Sequence, residues 1–272
     1  MAEVTEVTGS QRIGDAFAAA RAEGRAALMP YMMAGYPDRE TSLAVADAYA
    51  GAGADVVELG VPFSDPLADG PVIHAAATAA LAAGTTLEDA LDVCARIAAR
   101  VPVVPMAYAN MVLARGAEEF AQLLAGAGAV GAIVPDLPPE ESAEVGAALS
   151  EARLALVPLV APTTPSERLR AICAAAEGFV YVVSDTRVTG EREDLPPGLG
   201  ELVEAVRDCS AVPVAVGFGI GTPQQAAAVG RIADGVIVGS RLVRAAREAE
   251  GPHAAASRVG EFIAAAKAAM AA

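Results

Sequence analysis

The chain has 272 residues, of which 54% are apolar, and its 34 acidic residues against 19 basic ones give a formal net charge of −15. This apolar content excludes an intrinsically disordered chain, and the acidity argues against nucleic acid or an anionic membrane surface as a partner. Histidine and lysine are scarce, with only His74, His253 and Lys267 present. Metal sites built from histidines, and mechanisms that need a Schiff-base lysine, are therefore disfavoured.

The three cysteines, Cys94, Cys173 and Cys209, are widely spaced and form no CxxC motif. This pattern favours buried thiols in a reducing compartment over disulfides or metal ligands. The N-terminal segment has no apolar core of a secretory signal, and no apolar run approaches the ~20 residues of a membrane span. These features predict a cytoplasmic protein.

Eight short apolar segments alternate with Ala-rich amphipathic segments along the chain. The apolar segments are nearly continuous, which is typical of parallel strands covered on both faces. Several of the helical segments open with Asp, Thr or Pro and close at Gly, as helix caps require. The predicted strands are 27–34, 55–60, 102–108, 131–135, 155–161, 179–184, 212–217 and 235–239. The predicted helices between and after them are 38–51, 86–100, 116–126, 139–153, 165–176, 198–209, 222–230 and 241–249.

Eight strand–helix units in one chain of this length predict a single (β/α)8 barrel, a TIM barrel, over residues 1–272, with residues 1–9 disordered. A doubly wound open sheet is the alternative, although such sheets usually have fewer strands. The segment 10–23 is predicted as an additional N-terminal helix beneath the barrel, and 252–272 as the closing helix. The loops after the second and sixth strands are enlarged, at the end of the barrel where active sites are built.

Candidate catalytic carboxylates follow the second strand. Glu58 ends this strand, where desolvation at a barrel mouth would raise the pKa of a carboxyl group and suit it to general acid–base work; a structural carboxylate that caps loop amides is the alternative. Asp65 and Asp69 lie in the next segment, 60–71, whose prolines restrict the loop. Ordinary turn chemistry accounts for both aspartates equally well.

Glycine-rich turns after the seventh and eighth strands predict a phosphate site. Gly219 lies in the segment 217–223, GFGIGTP, and Gly239 precedes Ser240 after the last strand. Glycines allow close backbone approach, and the N–H groups of a helix N-terminus hold an anion. Gly190, after the sixth strand, could supply a further N–H. We therefore expect a phosphorylated ligand.

Aromatic residues could form the walls of the same site. Strand alternation places Tyr181 on one face with Phe179 and Val183, which we take to be the inward face. Tyr31 and Phe218 are further candidates for aromatic walls. Plain core filling is the alternative for each of them.

The segment 58–71, ELGVPFSDPLADGP, resembles the signature of the tryptophan synthase alpha chain family at every position. The resemblance extends over about residues 12–267. Further matching segments are Tyr108-Ala109-Asn110, Asp136-Leu137-Pro138, Val188-Thr189-Gly190 and Gly217-Phe218-Gly219-Ile220.

The resemblance implies a (β/α)8 barrel that cleaves indole-3-glycerol phosphate to indole and D-glyceraldehyde 3-phosphate in tryptophan biosynthesis. It implies a carbon–carbon lyase that needs neither a metal nor a Schiff base, with Glu58 as general acid/base and Asp69 as the second catalytic carboxylate. Glu58 would protonate indole C3, and Asp69 would accept a hydrogen bond from the indole N–H. The ring would then be its own electron sink.

Binding residues and partners also follow from the resemblance. The chain itself would need no cofactor, and pyridoxal phosphate would belong to a beta-chain partner in an alpha2-beta2 assembly. The implied substrate-binding residues are Tyr31, Tyr181 and Phe218; the implied phosphate-binding residues are Gly190, Gly219, Gly239 and Ser240; the implied partner contacts are Asp65, Tyr108 and Asn110.

Several positions depart from the family pattern. His74 stands where Gln is usual, residues 75–80 are nearly all Ala and Thr, and Arg187 lies in an altered loop 185–190. His74 is interpreted as a polar helix-face residue, and Arg187 as either a phosphate contact or a solvated loop charge. Because these segments close on substrate or meet the beta chain in the family, two alternatives stay open. One is a stand-alone lyase that releases free indole, and the other is a weakly catalytic activator of a beta chain.

Overall fold

The computed structural model describes residues 7–183, 195–217 and 219–272. Over these residues nine short strands form one all-parallel sheet. The strands are β1 Ala27–Met33, β2 Val57–Gly60, β3 Val103–Met106, β4 Gly131–Ile133, β5 Ala155–Val157, β6 Leu159–Val160, β7 Val180–Val183, β8 Val214–Gly217 and β9 Gly235–Val238.

The sheet curls into a barrel. Its order is β5-β4-β3-β2-β1-β9-β8-β7-β6, so β1 pairs with both β2 and the last strand, β9. The sheet ends, β5 and β6, are consecutive in the chain and are separated only by Pro158. Proline has no N–H to donate to a ladder, and together the two segments occupy the place of one barrel strand. The predicted strand 155–161 is thus divided, and the predicted (β/α)8 fold is confirmed.

The helices surround this barrel. Within the described residues they are α1 Gly9–Ala22, α2 Arg39–Gly51, α3 Pro71–Ala82, α4 Leu87–Ile97, α5 Ala109–Arg115, α6 Ala117–Gly126, α7 Ala143–Glu151, α8 Ser166–Ala174, α9 Leu199–Arg207, α10 Pro223–Gly230, α11 Ser240–Arg247 and α12 Pro252–Ala271. Two of them, α3 and α5, were not among the predicted helices. The predicted helix 139–153 is divided into a 3₁₀ turn, Pro139–Glu141, and α7.

The helix α1 closes the bottom of the barrel, as predicted for the segment 10–23. Ile13 and Phe17 are buried in an inner cluster with residues from the amino ends of the strands. The rings of Phe17 and Phe179 lie 5.9 Å apart between centroids. In the described part of the chain, apolar side chains therefore fill the amino-terminal end of the barrel and leave its carboxyl end open to a ligand.

No helix in the described part of the chain is long and apolar enough to cross a membrane.

Candidate active site

A cavity of about 1240 Å³ opens at the carboxyl ends of the strands. It brings together residues that are far apart in the sequence and that lie at the ends of five strands. Its lining includes Tyr31, Glu58, Asp69, Tyr181, Gly219, Gly239 and Ser240. Seven of the predicted catalytic, substrate-binding and phosphate-binding residues thus share one cavity.

Glu58 lies in β2 with its side chain inside the barrel. Strand alternation turns its neighbours Val57 and Leu59 toward the outer helices. Glu58 is only 2% exposed, and its Oε2 atom has no hydrogen-bond partner among the described residues. Burial, together with the negative charge of Asp69, raises the pKa of Glu58 to about 8. At neutral pH this carboxyl group is therefore protonated and can donate a proton.

This raised pKa makes the stability of the fold depend on pH. The folded state keeps a proton that an unfolded Glu58 loses above about pH 4.5, so stability falls as the pH rises from there through about 8. Glu58→Gln has no proton to lose at this position, so the stability of the variant does not fall for this reason as the pH rises. We expect it to unfold with a free energy about 1–3 kcal/mol higher than wild type at pH 8, with a smaller difference at pH 5.

Urea unfolding at the two pH values measures this effect. The exposed Glu141 offers a matched control, because Glu141→Gln changes the same chemical group outside the cavity. A stability difference between Glu58→Gln and wild type that is the same at both pH values would contradict the raised pKa.

Asp69 lies in the loop between β2 and α3, one residue before the Gly70 that caps α3. Its backbone N–H donates to the Pro66 carbonyl at 3.2 Å, which closes a tight turn. Burial raises the pKa of Asp69 to about 6, against the opposing effects of a hydrogen bond with Tyr108 and of the nearby His74. At neutral pH Asp69 is therefore ionised, while Glu58 in the same cavity is neutral.

Tyr108 contacts the loop between β2 and α3 that carries Asp69. Its hydroxyl accepts a hydrogen bond from the Ala68 N–H at 3.1 Å, and its ring stacks on Phe63 with 5.1 Å between centroids. The side chain is buried within this chain, and through these contacts it positions the loop that carries Asp69. Its expected role as a partner contact stays a prediction.

The other two expected partner contacts are at the surface. Asp65 is exposed in the loop after β2, and Asn110 is exposed in the first turn of α5. The start of α5 is held by the Asp136 carboxylate, which accepts a hydrogen bond from the Ala109 N–H at 2.7 Å. Asp65 follows β2 and Asn110 follows β3, so both lie at the carboxyl end of the barrel.

Tyr31 and Tyr181 stand on opposite sides of the cavity, and each fits over a glycine. A Cβ atom at Gly60 would collide with the Tyr31 hydroxyl, and one at Gly217 would collide with the Tyr181 hydroxyl. Tyr181 lines the cavity, and its ring lies 6.4 Å from that of Phe179 in the inner cluster, so its side chain points inward, as predicted. Gly60 and Gly217, at the ends of β2 and β8, could have indicated from the sequence where the two tyrosine rings lie. The sequence prediction did not use them.

The start of α11 supplies backbone N–H groups to the cavity. Gly239 is the N-cap residue of α11, and Ser240 is its first residue; no side chain among the described residues caps this helix. The start of α10 differs, because Thr222 and Gln225 form a capping box there. The first N–H groups of α11, together with the helix dipole, are thus available to an anion.

Three predicted positions lie outside the described residues: Gly190, Phe218 and Arg187.

The single lysine lies far from the mouth. The Lys267 ammonium group donates to the Gly53 carbonyl at 2.7 Å and lies 3.9 Å from the Asp55 carboxylate. Both partners precede β2, at the end of the barrel opposite to Glu58. A Schiff base at Lys267 could not reach a ligand in the cavity.

The barrel and its cavity define the class of protein: a TIM-barrel enzyme with two carboxyl groups of different protonation at its mouth. A sequence model described as tryptophan synthase alpha chain matches residues 17–271. The chain belongs to the tryptophan synthase alpha chain family. It is a carbon–carbon lyase of tryptophan biosynthesis, whose family reaction is the cleavage of indole-3-glycerol phosphate.

Individual relatives agree with this membership. The chain is 48% identical over 255 residues to the tryptophan synthase alpha chain of Roseiflexus castenholzii, covering 93% of this chain and 97% of the relative. It is 49% identical over 234 residues to that of Carboxydothermus hydrogenoformans, covering 85% and 88%. A structure of Mycobacterium tuberculosis tryptophan synthase superposes with a TM-score of 0.89 at 41% identity, covering 96% of this chain and 98% of that one.

Proposed function

We propose that Glu58 and Asp69 are the catalytic residues with which this chain cleaves indole-3-glycerol phosphate to indole and D-glyceraldehyde 3-phosphate. The observation that carries the proposal is that both carboxyl groups line one cavity, with Glu58 fully buried and Asp69 only partly buried. The pKa of Glu58 is raised to about 8 and that of Asp69 to about 6. Two neighbouring carboxyl groups with separated pKa values are the arrangement that divides acid and base roles at neutral pH.

The reaction begins with proton transfer to the indole ring. Protonated Glu58 donates its proton to indole C3, and the ring acquires positive charge that is centred on its nitrogen. Ionised Asp69 accepts a hydrogen bond from the indole N–H and stabilises this charge, because a charge-assisted bond is strong in a site shielded from water. The protonated ring is then the electron sink for bond cleavage.

Cleavage returns the proton to the enzyme. The Glu58 carboxylate takes the proton of the hydroxyl group on the side-chain carbon bonded to indole C3. The electron pair of that O–H bond forms the aldehyde C=O, the carbon–carbon bond breaks, and its electrons restore the neutral indole ring. Glu58 ends the cycle protonated, so the net reaction consumes no proton.

The phosphate group is assigned to the start of α11. Gly239 and Ser240 offer backbone N–H groups at an uncapped helix N-terminus, and Gly219 lines the cavity beside them. Gly190 and Phe218 are proposed to complete the phosphate site and the aromatic wall. Because the chain carries a formal charge of −15, its net charge repels an anion. These local N–H groups must therefore bind the phosphate despite that repulsion.

The phosphate assignment makes a kinetic prediction for Ser240. We expect Ser240→Ala, which keeps the backbone N–H but removes the side-chain hydroxyl as a further donor to the phosphate, to raise KM about 10-fold. The value of kcat should stay within about twofold, since the phosphate is bound equally in the ground and transition states. Inorganic phosphate should inhibit wild type competitively, and its inhibition constant should rise in the variant. Steady-state measurement of indole release gives all three quantities.

The exposed Ser257 on α12 provides the control, since Ser257→Ala should leave KM and phosphate inhibition unchanged. If Ser240→Ala also leaves both quantities unchanged, the Ser240 hydroxyl does not bind the phosphate.

A partner chain is proposed at the cavity mouth. Two large apolar side chains are exposed there, Leu67 at 92% in the loop after β2 and Leu113 at 59% on α5, beside Asp65 and Asn110. The similar M. tuberculosis structures are of tryptophan synthase. We infer that a beta chain covers this surface in an alpha2-beta2 assembly, and that pyridoxal phosphate belongs to that beta chain, with no cofactor in this one.

A stand-alone lyase is the second candidate, favoured by the departures from the family pattern such as the exposed His74 on α3. Indole release by the purified chain, with and without a beta chain, distinguishes the candidates. Slow release that a beta chain strongly accelerates supports the synthase subunit, and fast release alone supports the stand-alone lyase. Absence of release under both conditions would contradict the proposed roles of Glu58 and Asp69.

A further inference from the structure

Two buried polar atoms in the cavity lack a hydrogen-bond partner among the described residues. They are the Tyr31 hydroxyl and Glu58 Oε2. A buried polar group without a partner destabilises a fold by about 1–3 kcal/mol, so such groups are rare in native proteins. Two of them in one ligand cavity indicate a ligand group that bonds to both.

The two residues are neighbours across adjacent strands. Tyr31 on β1 is the register partner of Glu58 on β2, and paired residues of parallel strands point to the same face of the sheet. Tyr31 extends toward the mouth over Gly60, whose lack of a side chain leaves room for the hydroxyl, and its ring also faces Gly239. The tyrosine hydroxyl is thus held between the catalytic carboxyl group and the start of α11.

The Tyr31 hydroxyl keeps its proton at neutral pH. Burial, followed by the negative charges of Asp69 and Glu58, raises the pKa of Tyr31 well above its usual value. Tyr31 is therefore a hydrogen-bond donor without an acceptor in the described protein. Glu58 Oε2, once its carboxyl group has lost its proton, is an acceptor without a donor.

A hydroxyl group of a ligand meets both requirements, because it donates one hydrogen bond and accepts others. On the proposed function, Glu58 must remove the proton of one such hydroxyl, that on the side-chain carbon bonded to indole C3. We propose that Tyr31 is a further catalytic residue, whose hydroxyl donates a hydrogen bond to the oxygen of this substrate hydroxyl while Glu58 accepts its proton.

The hydrogen bond strengthens during the reaction. As the proton moves to Glu58, negative charge develops on the substrate oxygen before the C=O bond is complete, and a donor placed at that oxygen stabilises the transition state more than the ground state. Tyr31 does not lose its proton at any step. In the reverse direction the same donor polarises the aldehyde carbonyl for attack by indole C3.

Tyr31→Phe tests the proposal, because it removes only the hydroxyl. We expect kcat for indole release by this chain to fall about 10- to 100-fold, with KM within about threefold. The dissociation constant for indole-3-propanol phosphate, which lacks the reacting hydroxyl, should not change. Tyr36 belongs to the same apolar cluster as Tyr31 and does not line the cavity, so Tyr36→Phe is the matched control and should keep wild-type kcat.

Two results would overturn the inference. If Tyr31→Phe keeps kcat within about twofold of wild type, the hydroxyl takes no part in the reaction. If it instead weakens binding of indole-3-propanol phosphate as much as it lowers kcat, Tyr31 only shapes the indole pocket. Neither result affects the proposed function, whose own failure would appear as activity of Glu58→Gln.

Discussion

Glu58→Gln is expected to lower kcat for indole release by about 10³-fold or more. The amide keeps the size of the carboxyl group but can neither protonate indole C3 nor accept the proton of the substrate hydroxyl, so both proton transfers fail together. Indole release from indole-3-glycerol phosphate by the purified chain measures the effect, and circular dichroism verifies that the fold is retained.

Loss of the fold cannot explain the expected result, because Glu58→Gln is predicted to be more stable than wild type above about pH 5. The control Glu141→Gln should keep wild-type kcat. A Glu58→Gln variant with activity within tenfold of wild type would require another acid–base group and would reject the assignment.

Asp69→Asn is expected to lower kcat by about 10²- to 10³-fold, with a smaller effect on KM. An amide oxygen still accepts a hydrogen bond from the indole N–H, but it lacks the negative charge that stabilises the protonated ring. Wild-type activity should fall below about pH 6, where Asp69 becomes protonated, and above about pH 8, where Glu58 loses its proton. A pH–rate profile of wild type and of Asp69→Asn measures the decrease at low pH and the decrease at high pH.

Asp65→Asn is the matched control, because Asp65 is exposed in the same loop. In the absence of a beta chain it should keep the kcat and pH profile of wild type. Equal losses in Asp65→Asn and Asp69→Asn would indicate that the substitutions act through the loop conformation, and they would contradict a charge role for Asp69.

Much of the fold was predictable because the chain repeats one simple unit. Continuous apolar segments mark the strands, and capping residues such as Thr86 and Thr222 mark where helices begin. Neither of the two missed helices has, among the described residues, a side chain that caps its start. The helix α3 is rich in Ala with little polar contrast between its faces, and α5, Ala109–Arg115, has only seven residues. The division at Pro158 depends on a missing ladder bond, which periodicity does not report.

The residues of the candidate site could be predicted from the sequence, but the directions and contacts of their side chains could not. Glu58 and Asp69 stand out by position and by family resemblance, and both line the cavity. The inward direction of Tyr108 could not be predicted, because it depends on contacts with Phe63 and Ala68, which are about 40 residues away in sequence. The unpartnered state of the Tyr31 hydroxyl likewise follows only from the three-dimensional arrangement.

The glycines beneath the two tyrosines determine how this pocket can be redesigned. At Gly60 and Gly217 the smallest residue is already present, so every substitution there would narrow the space for a ligand. At these two walls, a wider pocket therefore requires a smaller side chain in place of Tyr31 or Tyr181. Since Tyr31 is proposed to carry chemistry, Tyr181 is the position at which a smaller side chain could admit indole rings with added substituents at the least loss of rate.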